Sequence, residues 1–302
     1  MNMSEIHTLD LNFQGIPRTI AAYLLPHSDG AALVECGPGS TIPCLLKNLD
    51  ELGYSINQIT HVFLTHIHLD HAGAAGWLAR QGANIYVHAV GAPHLANPEK
   101  LLASASRLYG ERMDQLWGEF LPVPENQLFV LQDNEVVEFG KSFIRAIATP
   151  GHASHHHAFI YEDTCFTGDI GGVRMPNKKH IRLPMPPPEF NPELWQASVQ
   201  RLRQETFSRL APTHFGIFTD PDWHLAEIEK ELERTEAWMK SVMPADPPID
   251  VLRDQFTLWE RSTSLQEGID ATTIHEYDVA NPSYMSADGI QRYWKKFRLA
   301  VN

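Results

Sequence analysis

The sequence predicts an α/β fold. Short β-branched and apolar runs alternate with helical periodicity through its first third, consecutive strand-like runs fill Gln127 to Phe166, and amphipathic helical patterns dominate the end. Thr19 to Leu25 and Ala31 to Glu35 read as strands broken by Pro26 and Gly30. Thr41 to Leu52 reads as a helix, with Ile42, Leu45, Leu46 and Leu49 on its apolar side and Gly53 as its stop. His61 to Thr65 is a short buried strand, Ala72 to Gln81 a helix ended by Gly82, and Ile85 to His88 another strand. Pro98 to Gly118 is helical with uneven apolar spacing, which predicts one or two helices inserted over the core. Leu128 to Leu131, Val136 to Phe139, Phe143 to Ala148, Ala158 to Tyr161 and Thr164 to Thr167 are expected to form the meander of one sheet, with turns at Asp133-Asn134 and Glu162-Asp163. A Pro-rich loop runs from Gly171 to Pro188; a helix spans Asn191 to Phe207, a short strand enters Pro212, and a helix covers Asp222 to Met243. The Met243 to Pro248 segment breaks that helix and reads as a linker, and the tail to Asn302 is mostly helical, ending in the basic aromatic run Tyr293 to Arg298.

The 302 residues carry 24 Lys and Arg against 37 Asp and Glu, a formal net charge of -13, which disfavours a nucleic-acid partner because phosphate binding rests on cationic side chains. With 43% hydrophobic and 20% charged residues the chain can bury a large core, so disorder and collagen-like repeats are excluded. No apolar run reaches the roughly 18 to 20 residues of a membrane span, and Met1 to Glu5 lacks the basic and apolar character of a secretory leader. A cytoplasmic protein without a membrane partner is expected. Cys36, Cys44 and Cys165 have no framework spacing and read as buried thiols. Histidine stands out: there are 16, and it is the commonest metal ligand.

Four of the metal-competent side chains crowd into Thr65-His66-Ile67-His68-Leu69-Asp70-His71-Ala72-Gly73, between a short apolar strand and a helix. Three imidazoles and a carboxylate are the N and O donors that zinc or iron prefers, and a strand-to-helix turn can aim them to different sides of a site. Three further segments place a donor after a strand-like run: His152 in Thr149-Pro150-Gly151-His152, Asp169 in Phe166-Thr167-Gly168-Asp169, and His214 in Ala211-Pro212-Thr213-His214.

This ordered set resembles the metallo-β-lactamase fold superfamily, in the glyoxalase II-like branch of dinuclear hydrolases, over residues 15 to 220. The resemblance implies an αββα sandwich over residues 1–221, with the helical insertion at about 98–118, and a helical C-terminal extension at 222–302 packed on the core. It implies that His66, His68 and His152 hold one metal, Asp70, His71 and His214 a second, and that Asp169 bridges them. Two divalent ions are expected, zinc first, with iron or manganese as alternatives. Such a pair makes hydroxide available near neutral pH and polarises the bond under attack, so the expected nucleophile is a hydroxide bridging the metals, with Asp70 handling its proton.

Other residues carry weaker signals. His156 is a candidate support for the ligands, while His155 and His157 read as packing, as do His61, His88 and His94. Glu35, where the family usually places Asp, is a candidate buttress of the metal loop. Arg174, Lys178, Lys179 and Arg182, with His180, follow Asp169 and are candidates for a basic clamp on an anionic small-molecule substrate, against a solvated loop. Met175, Met185 and Phe190 are candidate apolar lining, or filler. The insertion and the C-terminal region read as packing or as a lid over the metal mouth.

The leading function is hydrolysis of an ester-like bond, thioester first and lactone second. The alternatives are a mononuclear iron persulfide dioxygenase using His66, His152 and Asp169, and a small-molecule phosphodiesterase. A binding module without catalysis would be expected to show gaps in the donor set.

Overall fold

A computed structural model describes residues 5–299. The leaderless reading of the first residues and the final residues of the helical tail thus fall partly outside the described part of the chain. Among the described residues, eleven strands form two sheets. In the first, β1 (His7–Asp10), β2 (Ala21–His27), β3 (Gly30–Val34), β4 (Ile59–Phe63), β5 (Asn84–His88) and β6 (Leu128–Leu131) lie side by side in that order. The pairs from β1 to β3 are antiparallel and those from β3 to β6 parallel. In the second, β7 (Val136–Phe139), β8 (Ser142–Ala148), β9 (His157–Tyr161) and β10 (Thr164–Phe166) run antiparallel, and β11 (Arg209–Ala211) closes the edge parallel to β10.

The period of two in these strands decides the layering. Along β2, Ala22 and Leu24 point to one apolar cluster while Ala21, Tyr23 and Leu25 point to another. Along β9, Phe159 and Tyr161 join the same central cluster as Tyr23, and Ala158 and Ile160 face the opposite way. That central cluster, with Phe63, Phe139 and Phe166, is the seam between the sheets. The outer face of the first sheet is covered by α1 (Ile42–Glu51), α2 (Leu69–Ala72), α3 (Ala75–Arg80), α4 (Ala92–Ala96), α5 (Glu99–Tyr109) and α6 (Met113–Trp117). The outer face of the second is covered by α7 (Pro192–Leu202), α8 (Pro221–Val242), α9 (Ile249–Gln266) and α11 (Ser283–Tyr293), while α10 (Ala271–Ala280) packs Ile274 and Tyr277 on Val173 and Met175. The result is a helix-sheet-sheet-helix sandwich.

Several elements differ from the sequence reading. Leu128–Leu131 is not part of the later meander: it pairs in parallel with β5, Ile85 opposite Leu128. The helical crossover of α4 to α6 returns the chain parallel to the strand it left, as such crossovers do, and the Asp133-Asn134 turn carries it to the other sheet. Pro26 lies inside β2 opposite Ala31 rather than ending it, because β1 pairs only as far as Leu24 and no neighbour on that side needs the missing N–H. The helix expected over Ala72 to Gln81 begins earlier and is split between α2 and α3. Strand β1 and helix α4 escape the sequence reading, each being only four or five residues long. Met243 to Pro248 is a tight reversal rather than a linker: Trp238 before it rests against Phe256 and Trp259 after it, with ring centroids 5.1 and 5.7 Å away.

Candidate metal centre

The seven donors arrive from loops beyond the C-terminal ends of four strands. His66 and His68 follow β4, with His68 at the N-cap of α2 and Asp70 and His71 within it. His152 follows β8, Asp169 sits in a turn after β10, and His214 follows β11. Gly168 makes the turn into Asp169 at φ +50°, where a Cβ would meet the Thr65 hydroxyl at 2.6 Å and the His156 Nε2 at 2.7 Å.

The donors form two groups that share one carboxylate. His66, His68, His152 and Asp169 offer ligand atoms within 4.8 Å of one another, and so do Asp70, His71 and His214. Asp169 turns Oδ2 to the first group, 3.2 Å from His152 Nε2 and 3.9 Å from His66 Nε2. Its Oδ1 faces the second group, 3.3 Å from His71 Nε2 and 3.4 Å from His214 Nε2. Asp70 Oδ2 lies 3.5 Å from His214 Nε2 and 3.6 Å from His71 Nε2.

The backs of the rings fix which nitrogen faces inward. His152 Nδ1 donates to the Pro184 carbonyl at 2.7 Å and His214 Nδ1 to the Thr19 carbonyl at 2.5 Å. His71 Nδ1 donates to Glu35 Oε1 at 3.0 Å, and His66 Nδ1 meets the Thr65 hydroxyl at 3.0 Å. A carbonyl can only accept, so the proton stays on Nδ1 and the Nε2 lone pair is aimed into the centre, the arrangement of a metal-ligating histidine.

These residues fit bound metal better than they fit one another. His68 Nδ1 lies 2.9 Å from both His66 Nε2 and His152 Nε2, and one proton cannot satisfy both contacts. His71 Nε2 and Asp169 Oδ1 are buried with no hydrogen-bond partner. Electrostatics divide the donors: burial lowers His71 and His214, but Asp169 and Asp70 outweigh it and raise both, so these two hold protons that a cation would displace. Burial and the neighbouring His71, His68 and His152 hold His66 well below the usual histidine range, and burial beside His152 brings His68 to about 4, so both are neutral donors. Burial alone would raise Asp70 and Asp169, but the facing histidines outweigh it, holding Asp70 at about 2 and Asp169 well below the usual carboxylate range.

Glu35 anchors this loop. Almost fully buried, its Oε1 accepts from the Thr65 hydroxyl at 2.5 Å, the Thr213 hydroxyl at 3.0 Å and His71 Nδ1. One carboxylate thereby joins the loops after β3, β4 and β11. His156 touches no ligand nitrogen: its Nδ1 meets Thr149 Oγ1 at 2.8 Å and its Nε2 is unpartnered, so it braces the loop before His152 instead.

The basic loop is not brought to the site. Arg174 is buried with both amines on Asp220, at 2.7 and 3.0 Å, and under its guanidinium lies the Phe218 ring. Lys179 also pairs with Asp220, Lys178 with Asp270 at 3.1 Å, and Arg182 with Asp278 at 2.6 Å. His180 binds Glu267 at 2.7 Å. These ion pairs tie the loop to the C-terminal helices. Met175, Met185 and Phe190 are buried in apolar clusters there and do not line the site.

What lines the site is a cavity of about 310 Å³ above the donors. It is bounded by Ile67 and Leu69, by Leu101, Ala105, Leu108 and Tyr109 of α5, by Trp117, by Val279 and Ala280 at the end of α10, and by Tyr284 and Met285 at the start of α11. His94 and His155, read from the sequence as packing, also border it. The insertion and the C-terminal region are both walls, a role their periodicity alone could not separate from core packing.

The family description Metallo-beta-lactamase superfamily matches residues 15–214. A metallo-beta-lactamase fold-containing protein of Sulfurisphaera tokodaii is 24% identical over 200 residues, 65% of this chain and 72% of that protein. An atrochrysone carboxyl ACP thioesterase of Aspergillus fumigatus is 32% identical over 114 residues, 37% of this chain and only 27% of that protein. Among solved structures, a metallo-beta-lactamase family protein of Thermus thermophilus superposes with a TM-score of 0.64 at 20% identity, over 96% of this chain and 93% of that one, a likeness of fold.

Proposed function

We propose that this chain, which belongs to the metallo-beta-lactamase superfamily and so to its metal-dependent hydrolases, is a dinuclear member that cleaves ester-like bonds, thioesters first and lactones second. Within the superfamily we place it beside the glyoxalase II-like enzymes. The observation that carries the reading is Asp169, whose two oxygens face two separate sets of nitrogen and oxygen donors. His66, His68 and His152 would hold one cation, Asp70, His71 and His214 the other. Thioester cleavage is supported by the ACP thioesterase named among the partial relatives.

Bound there, two divalent cations would lower the pKa of water and polarise the bond under attack. The chain's own part is orientation and proton handling. Asp70, unlike the buried Asp169, keeps 22% of its side chain open to the cavity, so its carboxylate can take the proton of the attacking water and pass it to the leaving group. The apolar walls exclude competing water and strengthen each electrostatic contact inside. Cys36 and Cys165 are buried thiols pushed up by burial, which suits no nucleophilic role. Three unpaired cysteines also support a cytoplasmic setting. Among the described residues, no helix is long and apolar enough to cross a membrane.

The test is elemental analysis of protein purified without added metal, followed by a panel of thioesters, lactones and phosphodiesters. About two zinc or manganese per chain with thioester or lactone turnover is expected. About one iron per chain with oxygen uptake on persulfide would overturn the reading.

A further inference from the structure

The cavity's shape says more about the substrate than the metals do. Helix α5 turns Leu101, Ala105, Leu108 and Tyr109 toward it, at spacings of four, three and one, so the stripe that joins α5 to the core of the first sheet also borders the cavity above the donors. Opposite lie Ile67 and Met285. Tyr109 and Ser104 bring hydroxyls to that wall, and the partner of the Tyr109 hydroxyl is the Met285 sulfur at 3.4 Å, a weak acceptor. Lys100 and Arg112 also border the cavity but are exposed to solvent, so a polar group pushed past them, against Leu101, Ala105, Leu108 and Met285, would lose its water for few replacements. Leu108 stays 40% exposed, as expected of an apolar side chain at a mouth that is covered only when something apolar enters.

We infer that the roof formed by α5 and the start of α11 is an acyl-binding site, and that the substrate's acyl part is an uncharged apolar chain of about six to ten carbons. The length follows from volume: at about 30 Å³ for a water-sized occupant, a cavity of about 310 Å³ holds roughly ten non-hydrogen atoms. The inference rests on the hydrolase reading above, and the acyl carbonyl must then reach Asp70 and Asp169 while the chain lies against Leu101, Ala105 and Leu108.

Two measurements on the metal-loaded protein test it. The first is kcat/KM for N-acetylcysteamine thioesters from acetyl to dodecanoyl. Each methylene buried under the roof should raise it roughly fourfold, giving a gain on the order of a hundredfold between acetyl and hexanoyl and a plateau or fall beyond about ten carbons. The second is calorimetric binding of octanoate against acetate, which keeps the carboxylate constant and reads the chain alone, without turnover. Octanoate should bind at least about a hundredfold more tightly. Ser104→Trp, at a half-buried lining position of α5, should cut that ratio at least about tenfold by filling the site. A flat chain-length profile with octanoate no tighter than acetate overturns the inference and leaves the hydrolase reading standing. An octanoate preference that Ser104→Trp does not move also overturns it, since the chain then binds elsewhere. Tight octanoate binding with no thioester or lactone turnover at any length keeps the acyl site and removes the hydrolase reading.

Discussion

Replacing Glu35 by Gln should loosen one cation and spare the other. The carboxylate is 1% exposed and its Oε1 accepts three donors, of which only His71 Nδ1, at 3.0 Å, belongs to a metal-donating ring. Gln can keep its carbonyl at that position, so these three hydrogen bonds survive but the charge does not, and what is lost besides is the long contact of 3.4 Å that Thr65 N–H makes to Oε2. A hydrogen bond to a charged group is worth about 1.5–3 kcal/mol and a neutral one about 0.5–1.5. The difference, about 1–1.5 kcal/mol, is the amount by which His71 becomes a poorer donor. That corresponds to roughly a tenfold loss of affinity, the low end of the 10- to 100-fold range for removing a support behind a metal ligand. His66, His68 and His152 lean on Thr65, Pro184 and each other, not on Glu35, apart from the Thr65 hydroxyl that Gln still accepts. Titration of metal-free protein with zinc, followed by calorimetry, should therefore show one step unchanged and one weakened roughly tenfold. Two unchanged steps, or two steps weakened alike, would refute the reasoning, the second because it means general distortion of the loop.

Other perturbations separate parts of the structure. His214→Ala removes a donor from the Asp70–His71 group alone and should lower metal content from about two to about one per chain, with activity falling at least about a hundredfold; unchanged metal content would sink the assignment. Arg174→Ala strips a buried guanidinium from Asp220 and Phe218 and should cost about 2–4 kcal/mol in urea unfolding, with KM unmoved; a KM rise at unchanged stability would restore the substrate-clamp reading. Gly289→Ala would set a Cβ 1.9 Å from the Met185 carbonyl oxygen, so α11 must shift from the loop that holds His152 through Pro184. A loss of about 1–3 kcal/mol is expected by chemical denaturation, and none at all would show that the contact is slack.

The seven candidate donors stand out in the sequence because their chemistry is rare, and the fold brings them together. Few structural demands put His66, His68, Asp70 and His71 in six residues after an apolar strand, and each later donor also follows a strand-like run. Glu35 is visible as a candidate, but its three-loop bridge depends on Thr213, far along the chain. The basic loop misleads for the same reason in reverse. Arg174 and its neighbours lie near Asp169 in sequence, while the carboxylates that claim them, Asp220, Asp270 and Asp278, come from elements whose approach no local pattern announces. Helix α5 shows a further limit. Its stripe of Leu101, Ala105 and Leu108 declares a face that avoids water, yet periodicity is silent about whether that face meets a core or a cavity. Strand β6 reads as a member of the wrong sheet because a turn sequence looks the same whether it joins neighbours or crosses between layers.

Each donor group draws on both sheets: His66 and His68 from the first with His152 from the second, and Asp70 and His71 from the first with His214 from the second, while Asp169, also from the second, faces both. The chain passes between the sheets at Gln132 to Glu135, four exposed residues. Cut there, the protein becomes two fragments, each holding a whole sheet and an incomplete set of ligands. The apolar seam would bring them back together, and a cation held by ligands from both halves would tighten that reassembly, so the strength of association between the fragments would report metal supply.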